Sequence, residues 1–372
     1  MNIGFINIIA LFSGFLLFLL GIIFLFYPHG KKASNIILAS FMFSNCILLL
    51  NFFANLTFSS YRSTFPILDH FGGQSYLLLS PMLFLYIASL CKTDFKISIK
   101  YTIHLLPYAA FVSYAILVGI YNDPNSVNFY KNWQLFGFLY SLALHIQIAT
   151  YISLSFFELF KYRKQINELY SNLVKINLTW VNIVLYIFIV MWLSDFFNFI
   201  FRQFRINVGW LSTYLFYKSV ITNLVLCVSL IYKGMQQTSA PSAIVTVVKY
   251  GQTKLELNDY EKYKIQLNQF IAKEKPFLTP DLTLDDLSKK INIPQKHLSQ
   301  TINTCYNLNF NNFINFHRVE EAKRLMKLDA KDKKTLFQIL LDSGFNSKSV
   351  FNDSFKKNTG LTPKEYRKNI KS

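Results

Sequence analysis

Seven long apolar stretches fill the first 232 residues and constrain the fold more than any other feature. The first of them reads IGFINIIALFSGFLLFLLGIIFLFY. A helix needs about 20 predominantly apolar residues to cross the ~30 Å hydrocarbon core of a bilayer. The stretches lie near 3–27, 34–56, 74–91, 101–121, 133–160, 179–201 and 210–232, and the third is the shortest. We therefore predict that residues 1–232 form a polytopic domain of seven transmembrane helices.

The positions of lysine and arginine between these stretches predict the orientation of the domain. Loops one, three and five contain Lys31, Lys32, Lys92, Lys96, Lys100, Lys161, Arg163, Lys164 and Lys175. Loops two, four and six contain Arg62, Lys131, Arg202 and Arg205. Cytoplasmic loops hold the excess of basic residues in membrane proteins. We expect the N-terminus outside, the C-terminus in the cytoplasm, and the first stretch retained, because it lacks a basic n-region and a cleavage site.

Charge density rises sharply after Tyr232 and indicates a second domain. Residues 233–372 contain 24 Lys/Arg and 14 Asp/Glu, a net charge of +10, although the whole chain is 52% hydrophobic. We predict a linker at 233–257, an amphipathic connecting helix at 258–276, and a helical domain at 277–372. The connecting helix has apolar residues at helical spacing, and two interpretations stay open: it passes a signal or makes a dimer contact, or it packs on the domain that follows.

Two similar helical units follow the connecting helix. The first is LTLDDLSKKINIPQKHLSQTIN (282–303) and the second is TLFQILLDSGFNSKSVFNDSFKK (335–357). Each has a helix, a tight turn and a second helix with apolar residues on one face, which is the pattern of a helix-turn-helix. Gly344 lies at the second turn, where a positive φ is expected.

The second helix of each unit keeps polar residues at its outward positions. Such side chains donate to and accept from base edges in a major groove, while basic groups nearby contact phosphate. The predicted recognition helices are 294–303 and 347–357. The candidate base-reading residues are Gln295, Lys296, His297, Ser299, Gln300, Ser347, Lys348, Ser349, Asn352 and Asp353, and the candidate phosphate contacts are Arg318, Lys356 and Lys357.

The segment FNNFINFHRVEEAKRLMKLD (310–329) predicts a linker helix between the two units. Its apolar residues Phe313, Phe316, Ala322, Leu325 and Met326 are spaced for one buried face. Twenty helical residues span about 30 Å, close to the ~34 Å between successive major-groove faces of B-DNA. Two recognition helices one turn of DNA apart are therefore expected. After them, TPKE (362–365) predicts a capping box that begins a last helix.

At these residues the chain resembles the DNA-binding domain of the AraC/XylS family. The resemblance covers residues 282–368 and is most specific in GFNSKSVFNDSFKKNTGLTPKEYR, where GF, FKK, TP and YR are spaced as in the family. It departs from the family at Pro294, where a serine N-cap is frequent, and at Leu340, where alanine is common. The resemblance implies sequence-specific binding of double-stranded DNA and control of transcription in a bacterium. RNA polymerase and a second copy of the chain are further candidate partners.

Together these features predict an all-α chain: a seven-helix transmembrane domain in the bacterial inner membrane, followed by a cytoplasmic AraC-type double helix-turn-helix domain. Asp195 and Lys218 lie at similar depth in spans six and seven, so an intramembrane pair with a sensing or structural role is expected. The signal ligand is unknown, and no catalytic, cofactor or metal motif was found, so no enzyme activity is expected. Two alternatives stay open: a receptor or transporter whose cytoplasmic domain binds protein, and a regulator released by proteolysis.

Overall fold

The computed structural model describes residues 4–121, 127–174, 176–204, 206, 209–235, 257–329 and 333–370. Most of the predicted linker 233–257, together with Lys175 and Arg205, therefore lies outside the described residues. Within the described residues every regular element is a helix, so the all-α class is confirmed. The chain divides into two compact units. The first comprises Met1–Leu159 and Leu178–Ala240, and the second comprises Phe160–Asn177 and Pro241–Ser372.

The first unit is built from the apolar stretches, each of which lies on a helix. Its helices are α1 (Phe5–Phe26), α2 (Lys32–Thr57), α3 (Tyr61–Thr64), α4 (Pro66–Gln74), α5 (Tyr76–Cys91), α6 (Leu106–Tyr121), α7 (Val127–Leu169), α8 (Thr179–Gln203) and α9 (Gly209–Met235). A 3₁₀ helix at Ile99–Leu105 precedes α6. Only the last turns of α7, after Leu159, belong to the second unit.

Five helical segments among the described residues are long and apolar enough to cross a membrane by length and composition. They are Phe5–Phe26, Lys32–Thr57, Pro66–Cys91, Leu135–Leu169 and Thr179–Gln203. Two other predicted stretches also lie on helices, α6 and α9, but among the described residues they do not meet both criteria. A count of seven spans stays a prediction.

The second unit contains the connecting helix, both helix-turn-helix units and the closing helix. Its helices are α10 (Leu257–Glu274), α11 (Leu284–Ile291), α12 (Gln295–Tyr306), α13 (Phe310–Leu328), α14 (Leu336–Asp342), α15 (Lys348–Thr359) and α16 (Pro363–Asn369). Capping boxes begin three of them, at Thr283, Thr335 and Thr362. The box at Thr362 confirms the prediction for the last helix. Pro294 begins α12 without a side-chain cap, as its sequence requires.

Helix α10 packs on the first helix-turn-helix. Leu267 and Ile271 are buried, and Gln266 Nε2 donates to the Ile291 carbonyl at 2.8 Å. Tyr306 Oη of α12 donates to Asn268 Oδ1 at 2.7 Å. Of the two interpretations of this helix, packing on the following domain is therefore the one that the contacts support.

Helix α13 shares a buried core with the second helix-turn-helix unit. Val319, Ala322 and Met326 of α13 pack with residues of α14 and α15, including Phe351 and Phe355. The predicted buried face of α13 is wrong at one position: Phe316 is 39% exposed. Tyr366 of α16 packs against Phe355 and closes this core.

Gly344 lies in the turn of the second helix-turn-helix unit and packs directly against the backbone of the segment before α11. Its φ is +87°, and a Cβ at this position would lie 2.8 Å from Leu278 Cα, with the Phe277 carbonyl closer still. Backbone atoms cannot move aside as a flexible side chain can. The positive φ expected at Gly344 is confirmed, and close packing is a second reason why glycine is needed there.

We predict that Gly344→Ala destabilises the second unit by at least about 2 kcal/mol, because alanine adds both left-handed backbone strain and a clash. Gly360→Ala is the matched control. Its φ is +76°, but a Cβ there meets nothing within 4 Å, so only about 1 kcal/mol of strain is expected. Hydrogen exchange of α13–α15 in the detergent-solubilised chain measures both. Equal protection in the two variants would contradict the close-packing account.

Candidate nucleic-acid interface

The relative placement of the two helix-turn-helix units depends on Arg318 of α13. Its side chain is 1% exposed. The guanidinium donates from Nε to the Phe277 carbonyl at 2.7 Å, and from Nη2 to the carbonyls of Thr279 and Pro280 at 2.7 and 2.9 Å. These three carbonyls belong to the segment that leads into α11. Arg318 therefore fixes the start of the first helix-turn-helix to the linker helix.

The same guanidinium reaches three further groups. Nη1 donates to Asn315 Oδ1 at 3.2 Å, and Nη2 donates to Ser171 Oγ at 3.2 Å. The group also lies 5.7 Å from the ring centroid of Phe345, at the turn of the second helix-turn-helix. Burial lowers the pKa of Arg318 to about 10, which leaves it charged at neutral pH. A buried charge of this kind is tolerated because its donors are satisfied.

The predicted phosphate contact by Arg318 is therefore wrong. Its donors point into the protein and are occupied by carbonyl and side-chain oxygens. A residue that is 1% exposed has no surface for a phosphate group. Sequence reasoning placed Arg318 outside because arginine is usually exposed, whereas here it serves as a structural donor.

Helix α15 presents a continuous polar surface. Phe351 and Phe355 point into the core. Six of the predicted contact residues on this helix are exposed: Lys348, Ser349, Asn352, Asp353, Lys356 and Lys357. Within the set, Ser349 Oγ lies 3.4 Å from Asp353 Oδ2, and Lys357 Nζ donates to Asn312 Oδ1 at 3.2 Å. Ser347 is half-buried at the N-cap. The geometry suits a helix that enters a major groove with its polar face outward.

The predicted contact residues on helix α12 are less exposed than those on α15. Leu298, Thr301 and Ile302 are buried. The predicted contact residues Gln295, Lys296, His297, Ser299 and Gln300 are all half-buried. The His297 ring lies 5.9 Å from that of Tyr263 on α10, and its Nδ1 is buried without a hydrogen-bond partner among the described residues. His297 therefore faces α10, and its predicted base contact is not supported by this arrangement.

Sequence reasoning missed Asn303, an exposed residue at the C-terminal end of α12. Its Nδ2 lies 3.4 Å from Ser299 Oγ, one turn earlier on the same face of the helix. The same Nδ2 donates to Glu168 Oε2 at 3.1 Å. Asn303 lies four residues after Ser299, and this spacing places both side chains on one face of the helix, so the sequence could have predicted it.

The predicted intramembrane residues Asp195 and Lys218 belong to the first unit. Tyr76 Oη of α5 donates to Asp195 Oδ2 of α8. Lys218 Nζ of α9 donates to Ser194 Oγ of α8 at 3.2 Å. Both charges thus contact neighbouring positions in the C-terminal half of α8, since Ser194 and Asp195 are adjacent in the chain. A direct pair between the two charges stays a prediction.

Within the described residues no group of three or more His, Cys, Asp or Glu side chains could hold a metal ion. The four cysteines are free: Cys46, Cys91 and Cys227 are buried, and Cys305 is half-buried. The candidate binding site in the second unit is the exposed polar surface of α15.

The C-terminal domain is similar to known proteins. Residues 287–369 match a family model described as a helix-turn-helix domain. An uncharacterized HTH-type transcriptional regulator of Staphylococcus aureus (strain COL) is 37% identical over 87 residues, 23% of this chain and 11% of the relative. An uncharacterized HTH-type transcriptional regulator of Pseudoalteromonas carrageenovora is 27% identical over 92 residues, 25% of this chain and 52% of the relative. These matches support DNA-binding transcription regulation by the C-terminal domain.

A solved structure of a protein of unknown function from Listeria innocua is also similar. It is 28% identical, with 28% of this chain and 94% of the other covered and a TM-score of 0.25. The chain spans about a tenth of the length of the staphylococcal relative and about half of the Pseudoalteromonas relative.

Replacing Arg318 with Met should destabilise the second unit by about 1–3 kcal/mol, because the buried Phe277 carbonyl and the part-buried carbonyls of Thr279 and Pro280 lose their donor. Arg318→Lys keeps the charge but not the five-donor geometry, and we expect an intermediate loss. Denaturant unfolding monitored by hydrogen exchange of α11–α15 measures both. If the variants kept full stability and only the salt dependence of DNA binding became weaker, the result would instead favour a contact between Arg318 and a DNA phosphate.

Replacing Lys348 or Asn352 with Ala should each reduce the preference for specific over random DNA by about 10-fold or more, since one good base contact contributes about 1–3 kcal/mol. Both side chains are exposed, so the folded structure should keep its stability. Lys327→Ala is the control, since it removes an equal charge from an exposed position on α13. Fluorescence anisotropy with both DNAs gives the ratio. An equal loss in all three variants would exclude base reading by α15.

Proposed function

We propose that the chain is a membrane-embedded one-component transcription regulator. In this proposal, seven spans hold the protein in the bacterial inner membrane, with the N-terminus outside. The C-terminal domain lies in the cytoplasm and reads double-stranded DNA through α12 and α15. A signal perceived in the membrane domain controls this binding, and RNA polymerase and a second copy of the chain are candidate partners.

The observation that carries the DNA-binding part is the exposed polar face of α15. Its side chains include donors, acceptors and basic groups in one row, on a helix fixed by a buried aromatic core. The second unit is also basic overall, which favours DNA through release of counterions. A basic surface alone would also suit anionic lipid. The match of residues 287–369 to a helix-turn-helix domain favours DNA.

Exposed apolar side chains support the membrane part of the proposal. Phe5 and Phe26 at the two ends of α1 are both 80% exposed, and exposed apolar residues continue along α7 and α8. Contiguous apolar surface of this kind is rare on water-soluble proteins. Hydrocarbon is the solvent in which such a surface is stable.

The division into two units supports the proposed orientation. The segment Phe160–Asn177 comprises the last turns of α7 and its connection to α8, contains the basic residues Lys161, Arg163 and Lys164, and on charge is assigned to the cytoplasmic side. This segment belongs to the same compact unit as the C-terminal domain. The same charge distribution predicts a cytoplasmic C-terminal domain, so two segments predicted on one side of the membrane belong to one compact unit.

The polar groups around Asp195 are the candidate place for signal perception. An acidic and a basic side chain within a span are costly in hydrocarbon and usually functional. Here Asp195 accepts from Tyr76, and Lys218 donates to Ser194, so α5, α8 and α9 meet through polar contacts. A small or lipidic signal that alters these contacts would move α8 and α9 relative to α5.

DNA binding by the full chain in lipid nanodiscs tests the proposal. We expect binding to a duplex from upstream of its own coding sequence to exceed binding to random DNA by roughly a thousandfold, with a steep salt dependence. Empty nanodiscs of the same lipids are the control. Weak binding with no sequence preference would contradict a sequence-specific regulator and favour a protein partner for the C-terminal domain.

A further inference from the structure

A short segment far away in sequence is built into the DNA-binding unit. Residues 168–172, which we call the docking segment, end α7 and begin its connection to α8. Both the docking segment and the helix-turn-helix units belong to the second compact unit. The contacts below join residues more than a hundred positions apart, so local sequence does not impose them.

The docking segment pairs with the chain before α11 through its backbone. Tyr170 and Thr283 form an antiparallel β-bridge, and the Ser171 N–H donates to the Leu282 carbonyl at 3.1 Å. Ser171 Oγ donates to the same carbonyl at 2.7 Å. Ser171 is fully buried. The segment therefore adds one short strand-like pairing next to the N-cap of α11.

Side chains of the DNA-binding unit hold the docking segment from the other side. Asn311 Nδ2 of α13 donates to the carbonyls of Tyr170 and Ser171 at 3.1 and 2.9 Å. Arg318 Nη2 donates to Ser171 Oγ. At the last residue of the docking segment, Asn172 Nδ2 donates to Asp281 Oδ1 at 2.8 Å in a solvent-exposed contact. Two of these four bonds accept at main-chain oxygens of the segment, which fixes its backbone position.

One contact reaches the predicted recognition helix of the first unit. Glu168 Oε2 accepts from Asn303 Nδ2 at 3.1 Å, and Asn303 lies on the face of α12 that also bears Ser299. A carboxylate at this place occupies a donor that a base edge or phosphate would use. It also repels the phosphates of an approaching duplex.

We propose that the docking segment is an autoinhibitory contact that lowers the DNA affinity of α12 until it is released. The inference rests on the proposed function, since it assigns a regulation to the same DNA-binding helix. Residues Val127–Leu169 form one continuous helix, of which the part up to Leu159 belongs to the apolar unit. Movement of α7 thus reaches Glu168 and Ser171 directly, without passing through the 233–257 linker.

A reversible disulfide tests the inference in the full chain in nanodiscs. The register of the Tyr170–Thr283 bridge places residue 172 opposite residue 281, and their side chains already meet. Opposed residues in antiparallel pairs lie about 4.5–5.5 Å apart at Cα, within the range a disulfide requires. The variant is Asn172→Cys with Asp281→Cys. The single change Asn172→Cys, oxidised in the same way, controls for the native cysteines.

We expect rapid cross-linking without DNA, and about 10-fold or weaker DNA binding in the oxidised state that recovers on reduction. The probes are the upstream duplex and a random duplex. Failure to cross-link would overturn docking even if DNA binding is normal. Equal affinity in both redox states would overturn inhibition. A chain that cross-links but binds neither duplex in either state would contradict the proposed function itself, and inhibition with it.

A charge change gives an independent measurement. Glu168→Gln keeps an acceptor for Asn303 but removes the negative charge, so DNA should bind about threefold or more tightly. Glu274→Gln removes an equal charge from an exposed position at the end of α10. If DNA affinity rose equally in the two variants, the change in net charge alone would explain the effect, and a specific role for Glu168 would be overturned.

Discussion

The second unit depends on the buried guanidinium of Arg318. It bridges three carbonyls of the segment 277–280, a side chain of its own helix, the aromatic turn of the second helix-turn-helix and the docking segment. A guanidinium can do this because its five donors lie in one rigid plane. Without it the buried Phe277 carbonyl would lose this donor, and the carbonyls of Thr279 and Pro280 would depend on solvent. One side chain on α13 therefore contacts both the segment before α11 and the turn of the second helix-turn-helix unit.

The two helices proposed to read DNA differ in exposure. Helix α15 is exposed along its polar face. On α12 the predicted contact residues are half-buried, His297 lies against Tyr263 of α10, and Asn303 contacts Glu168. Helix α12 also begins at Pro294 without a capping side chain, which lowers local stability. A difference of this kind suits a domain in which α15 supplies constant affinity and α12 supplies the part that is regulated.

Much of this fold was predictable from the sequence because its signals are local. Apolar runs located the helices of the first unit, and the Gly344 turn and the Thr362 capping box are spaced within a few residues. The exposed set on α15 followed from helical periodicity. The prediction placed Arg318 on the surface and Phe316 in the core, and the structure shows a buried Arg318 and an exposed Phe316. Residue type favours arginine outside and phenylalanine inside, so it misleads at both positions. The docking segment was not predictable, since its partners lie more than a hundred residues away and use main-chain oxygens.

The central claim is that an intact, membrane-embedded chain binds particular DNA sites. Cross-linking in living cells, followed by separation of membranes, sizing of the cross-linked protein and sequencing of the attached DNA, tests it most directly. The account predicts that the protein in the membrane fraction, with its transmembrane domain still attached, is cross-linked to a small set of recurrent DNA sites. DNA attached only to a soluble C-terminal fragment, or spread evenly over the genome, would contradict it.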